Sequence, residues 1–299
     1  MTGIWHELRD RVRHIRELCR GLKIELIRGQ GLAQSLDEAE ALADGKKHSG
    51  PANEADVLAS VRAFHNVWAL YDSLDSCQTA GLPITAHLKQ MTTGSTDFGV
   101  PSEPSSAFRM IYYKDFEAEL FIAASLARAG LPVRFLEEPN DPRGDMLVQE
   151  VFVEVKHPNS AKSLERLMRK FDGQMRRTGS AGVFVAALED AFRLASPTSF
   201  SSNQEFSSWK EKKDDEVEVF GIASLLQAAT LQNIGVLAQT SSYIEIISDE
   251  TQFVRRTNAV IYDERRYAAT VSETLKSIAA VFNPHPTLFS EVRAFFTAR

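Results

Sequence analysis

Two acids and an amine fall close together in the stretch from Gly144 to Lys156, Gly-Asp-Met-Leu-Val-Gln-Glu-Val-Phe-Val-Glu-Val-Lys. Apolar runs from Met146 to Val148 and from Val151 to Val155 flank the polar pair Gln149-Glu150, the pattern of a β-hairpin. Side chains on a strand repeat every two residues, so Val151, Val153 and Val155 point one way and Phe152, Glu154 and Lys156 the other. A two-residue turn at Gln149-Glu150 pairs Val148 with Val151 and, three steps further out, Asp145 with Glu154. Directly opposed residues share a face, with Cβ atoms roughly 4.5–5.5 Å apart. Two carboxylates held that way repel each other unless a cation lies between them. Oxygen ligands suit a hard divalent ion, Mg²⁺ first. Lys156 would lie beside that ion, near any phosphate it bound. On this reading, removal of either acid relieves repulsion and leaves the metal-free fold intact or slightly more stable.

Plainer explanations exist for the same residues. Glu-x-Lys on a strand is also the pattern of a solvated face. Gln-Glu is a poor two-residue turn, because neither residue favours φ > 0. A different loop would slip the register by one and separate the acids.

The elements on either side decide what this hairpin sits in. Phe116 to Gly130 is rich in Ala and Leu and stops at a glycine, which predicts a helix. Val133 to Leu136 reads as a short strand. Downstream, Leu164, Leu167, Met168, Phe171 and Met175 recur at helical spacing, and Ala181 to Leu188 has the unbroken apolar character of a buried strand. The predicted order is helix, strand, strand, strand, helix, strand.

That order, with those residues, resembles the PD-(D/E)XK nuclease superfamily. In that family an acid lies on the first core helix, an Asp opens the second strand and Glu-x-Lys sits on the third. Glu119 matches the helix position, with Glu117 as second choice; Asp145 matches the Asp, and Glu154 and Lys156 the Glu-x-Lys. Gln174 looks like the glutamine that some branches carry on the following helix. Gly144 stands where the family often has proline. The resemblance covers roughly residues 108 to 190, under a third of the chain.

The resemblance implies an α/β fold, a restriction-endonuclease-like core whose mixed central sheet is flanked by helices, preceded here by an N-terminal helical region. It also implies a Mg²⁺-dependent endonuclease that hydrolyses phosphodiester bonds, of DNA sooner than RNA, with Mn²⁺ as a substitute ion. Hairpin and resemblance together place the ion on Asp145, Glu154 and the Val155 carbonyl, with Glu119 contributing directly, through water or to a second ion. Lys156 would stabilise charge on the transition state.

Composition sets the outer bounds. At 299 residues, 43% hydrophobic and 25% charged, the chain can bury a sizeable core in one large domain or two modest ones. A net charge of −6 excludes a uniformly basic coat, so nucleic acid must be met by a local patch. One is present: from Lys156 to Arg177 seven Lys or Arg face two acids. Within it Lys162, Arg166, Arg169, Lys170 and Gln174 are the candidate nucleic-acid contacts, although a solvated helix face has the same composition. Cys19 and Cys77 are too few and too scattered for a disulfide framework or a zinc site. No apolar run approaches the roughly 18 residues of a membrane span, and no signal-peptide core precedes the charged N-terminus, so a cytoplasmic protein is expected.

Residues 1–100 read as a helical region. Its apolar stripe from Ile4 to Leu22 alternates with Arg9, Arg11, Arg13, Arg16 and Arg20, and Glu7, Asp10 and Glu17 suggest a salt-bridged face. A second amphipathic helix spans Asp56 to Leu74. Thr92 to Ser106 is the best linker, which leaves residues 107–299 as the nuclease-like domain with C-terminal helices. Within that part, Ser196 to Glu216 reads as a polar surface excursion, Ile222 to Leu231 as a helix, Tyr243 to Ile247 and Asn258 to Tyr262 as strands, and Ala268 to Phe282 as a helix. Pro284-His285-Pro286 is a turn before a last short helix. Two other functions fit the sequence: an inactive nucleic-acid-binding module of the same fold, and a partner-binding protein acting through the N-terminal helices. A nuclease that cuts both strands of a duplex would favour a homodimer.

Overall fold

A computed structural model of the chain describes residues 2–45, 54–93, 113–136, 144–158, 160–188, 198–200, 204–205, 207–209, 211–212, 231, 233–247, 250–262, 267–283 and 287–288. Most of the expected linker and of the helix of residues 222–231, and the Pro284-His285-Pro286 turn, lie outside the described residues. The expected polar excursion is described in part, and its Thr198–Phe200 is not a surface excursion but a strand of the sheet. The chain divides into two compact units, Met1–Ala124 and Ser125–Arg299.

The first unit is helical: α1 (Thr2–Gly21), α2 (Gly31–Ala43), α3 (Glu54–Thr79), α4 (Thr85–Gln90) and the greater part of α5 (Tyr113–Arg128). Leu8, Val12, Ile15 and Cys19 line the buried side of α1; Leu36 on α2, Leu70 and Leu74 on α3, and Leu88 on α4 are also fully buried. Arg9, Arg11 and Arg16 of α1 are engaged with acids, mostly on other segments rather than with the acids that alternate with them on α1. Arg9 meets Asp44 at 2.8 Å, Arg16 meets Asp37 at 2.6 Å, and Arg11 meets both Glu7 and Asp72. The Arg11 guanidinium also lies 3.8 Å from the centre of the Trp68 ring. The start of α2 at Gly31 meets a segment remote in sequence. Gly31 takes φ +44, and a Cβ there would stand 2.4 Å from the Met91 carbonyl oxygen.

The second unit is a mixed sheet flanked by helices. Its strands are β1 (Val133–Phe135), β2 (Met146–Val148), β3 (Val151–Lys156), β4 (Gly182–Ala187), β5 (Thr198–Phe200), β6 (Ile234–Ile247), β7 (Glu250–Tyr262) and β8 (Thr287–Leu288). They lie in the order β1-β2-β3-β4-β6-β7-β8, with β5 paired to β6. β1, β2 and β3 run antiparallel in turn, while β3, β4 and β6 are mutually parallel.

Helix α6 (Ala161–Thr178) connects the parallel strands β3 and β4. Ser160 caps it, with its hydroxyl accepting from Ser163 N–H and the Ser163 side chain returning the bond; Gly179 ends it at φ +67. Leu164, Met168, Phe171 and Met175, at spacings of 4, 3 and 4, pack with Phe152, Phe184, Ala186 and Leu237 of the sheet. Gly182 permits the close approach, since a Cβ there would stand 2.5 Å from Phe171. The opposite face receives α7 (Ala269–Phe282), whose Leu275 lies against Gly235. Among the described residues no helix is long and apolar enough to cross a membrane.

Candidate active site

The hairpin holds the register its valines predict. Met146 pairs with Val153, Leu147 with Phe152 and Val148 with Val151, so Gln149-Glu150 forms a two-residue turn. Gln149 takes the positive φ, +53, that its residue type disfavours. Tertiary bonds hold it there: its N–H donates to Pro132 O at 3.4 Å, and its side-chain Oε1 accepts from Thr274 Oγ1 on α7.

The ladder ends at Met146 and Val153, and just beyond it Asp145 and Glu154 meet at one amine, Lys156 Nζ. The Asp145 N–H donates to Val153 O at 2.9 Å, and the Val155 N–H donates to Asp145 Oδ2 at 2.7 Å. The carboxylate is thereby fixed by the backbone of the opposite strand. Gly144 is required for this approach. It takes φ +135, and a Cβ would lie 2.8 Å from Val153 O. A proline, whose ring holds φ near −65°, cannot adopt that conformation. The glycine is therefore a local geometric necessity here.

Lys156 reaches across the pair of acids. Its Nζ lies 2.9 Å from Glu154 Oε1 and 3.2 Å from Asp145 Oδ2, and donates to Val155 O at 3.0 Å. Both carboxylates are largely buried, with side chains 18% exposed for Asp145 and 14% for Glu154. Burial first, and the adjacent Asp145 charge second, push the Glu154 carboxyl from its ordinary 4.5 up to about 7. Lys156 and, more weakly, Lys170 of α6 act in the opposite sense. Two acids and one amine leave the buried cluster short of positive charge.

That shortage is the observation a divalent cation fits. Asp145 and Glu154 present hard oxygen ligands, and the Val155 carbonyl, which now accepts from Lys156, supplies a third. Among the described residues no group of three or more His, Cys, Asp and Glu side chains is placed to hold a metal ion. The candidate site is thus a pair of carboxylates and not a larger cluster.

Glu119 and Glu117, the candidates on the first core helix, belong to the helical unit and have partners there. Glu119 Oε2 lies 3.0 Å from His87 Nε2, and Glu117 Oε2 accepts from Lys114 Nζ at 2.5 Å. Burial holds the His87 ring down to about 4. This histidine carried no sequence signal, because α4 is only six residues long.

On α6, Lys162, Arg166, Arg169 and Lys170 are exposed while Gln174 is half-buried. Lys162, Arg166 and Lys170 recur every four residues and form one stripe along the helix. Arg169 is paired with Glu165 at 2.9 Å. The influence of Lys170 on Glu154 ties the stripe to the acids, a link between helix and strand that no local pattern reveals.

In comparisons with protein families, with curated proteins and with solved structures, the chain matches none.

Proposed function

We propose that this protein is a cytoplasmic, metal-dependent nuclease of restriction-endonuclease-like fold that hydrolyses phosphodiester bonds, those of DNA before RNA. The observation that carries the reading is the buried pair Asp145 and Glu154, bridged by Lys156 at the mouth of a hairpin whose register brings the acids together. Asp145, Glu154 and the Val155 carbonyl would hold the Mg²⁺, or Mn²⁺ in its place. The bound ion would polarise a phosphate and lower the pKa of a water. Asp145 is oriented by the Val155 N–H, so its geometry does not depend on the ion. Lys156 places a compact cation where negative charge grows on the phosphate, a role a forked guanidinium would not reproduce. Lys162, Arg166 and Lys170, with Arg169 and Gln174 nearby, lie along α6 where a phosphodiester backbone can be followed. Action on both strands of a duplex would favour a homodimer.

A second reading is an inactive nucleic-acid-binding module that uses the same basic stripe. The small ligand count, two carboxylates and no third acid among the described residues, favours it. One experiment separates the two. Plasmid, linear single strand and RNA are incubated with Mg²⁺, Mn²⁺ or EDTA, using wild type and Lys156→Ala. The nuclease reading expects metal-dependent products from wild type and none from the variant. Retention of nucleic acid without cleavage in any metal selects the binding module.

A further inference from the structure

The row of the sheet that contains Lys156 continues inward to a buried amide the mechanism does not use. Lys156 pairs with Ala186, Ala186 with Gln239, and Gln239 with Ala259. Register partners share a face, so Gln239 lies on the same face as Lys156, two strands or roughly 9–10 Å away. Its neighbours in the row are Ala186 and Ala259. Gln239 is 0% exposed, and among the described residues neither Nε2 nor Oε1 has a hydrogen-bond partner. A shift in the β6–β7 register falls immediately after it, between Gln239 and Thr240. Such bulges recur beside functional sites, where they re-aim a side chain. A buried amide with both ends unsatisfied costs stability, and that cost is explained when a ligand satisfies it.

We propose that Gln239 is a specificity residue that reads the edge of an unpaired nucleobase next to the phosphate held at Lys156. A carboxamide offers one acceptor and one donor side by side. Adenine matches that pair through N6–H and N7, the pairing by which glutamine reads adenine. The base must leave a duplex stack to reach a buried amide, so the substrate is single-stranded or locally unpaired nucleic acid. This inference rests on the nuclease reading for the position of the phosphate, and its test needs no cleavage.

Fluorescent oligonucleotides of dA, dT, dC and 7-deaza-dA are titrated in EDTA against wild type and Gln239→Leu, and both proteins are melted. The expected result is tightest binding of dA, with about a ten-fold loss on replacement of N7 by carbon, the effect of one bidentate base contact. Gln239→Leu should lose the same factor on dA alone while melting at an equal or higher temperature. Equal affinity for dA and 7-deaza-dA, or no binding of any oligonucleotide, overturns the assignment. The 7-deaza comparison uses wild type only and holds even where the variant fails to fold. Metal-dependent cleavage without an adenine preference would sink this inference and leave the nuclease reading standing.

Discussion

The Val155 N–H and the Asp145 carboxylate are joined across the hairpin by a 2.7 Å hydrogen bond. Asp145 is therefore a structural acceptor as well as an acid, and the two carboxylates are not equivalent. From sequence, loss of either was expected to leave the metal-free fold undisturbed. For Asp145 that no longer follows. Asp145→Ala deprives Val155 N–H of its acceptor and should destabilise the protein by about 1–3 kcal/mol. Asp145→Asn keeps an oxygen there and should cost less, while both variants lose cleavage. Urea unfolding at pH 8 measures the difference, and equal stability of the two variants would contradict it.

Glu154 gives stability a pH dependence of definite sign. Its folded pKa of about 7 lies above the ordinary 4.5, so the folded protein binds the proton more tightly than the unfolded chain does. The contribution is fully present below about pH 4.5 and is lost as pH rises through 7, on the order of 3 kcal/mol in total. Glu154→Gln should flatten this part of the stability profile and gain on wild type at pH 8. Parallel profiles for the two proteins would refute the assignment.

Gly144 should tolerate neither alanine nor proline. Gly144→Ala places a Cβ 2.8 Å from Val153 O at φ +135, and Gly144→Pro forbids that φ altogether. Each should cost about 1–3 kcal/mol or more and displace Asp145. Thermal melting checks the first effect and loss of metal-dependent cleavage the second; wild-type behaviour of Gly144→Pro would show that the glycine is not needed.

Lys170 acts on Glu154 through charge alone. Lys170→Gln should raise the Glu154 titration midpoint further, and the effect should shrink in high salt because Lys170 is exposed. An NMR titration of the Glu154 side chain reads both, and an unchanged midpoint in low salt would remove Lys170 from the site.

The core of the candidate site was legible because its determinants are local. Alternating valines set the β2–β3 register, a terminal glycine marked the end of α5, and the spacing of its apolar residues marked α6. What stayed hidden depends on distant partners. Gln149 holds a disfavoured φ through Pro132 and Thr274. Gly144 is explained only by Val153 on the facing strand. β6 begins at Ile234, well before the strand expected at Tyr243, because pairing with β4 and β7 carries it through the polar run from Gln239 to Ser242. α4 is too short to show a period, so the partnership of His87 with Glu119 had no sequence signature.

The most direct measurement is calorimetric titration of Mg²⁺ and Mn²⁺ into wild type, Asp145→Asn and Glu154→Gln at pH 6 and pH 8. A cation held by these two carboxylates must bind wild type, bind it more tightly at pH 8 where Glu154 is ionised, and bind neither variant. Equal binding by all three proteins, or none by wild type at either pH, would contradict the account.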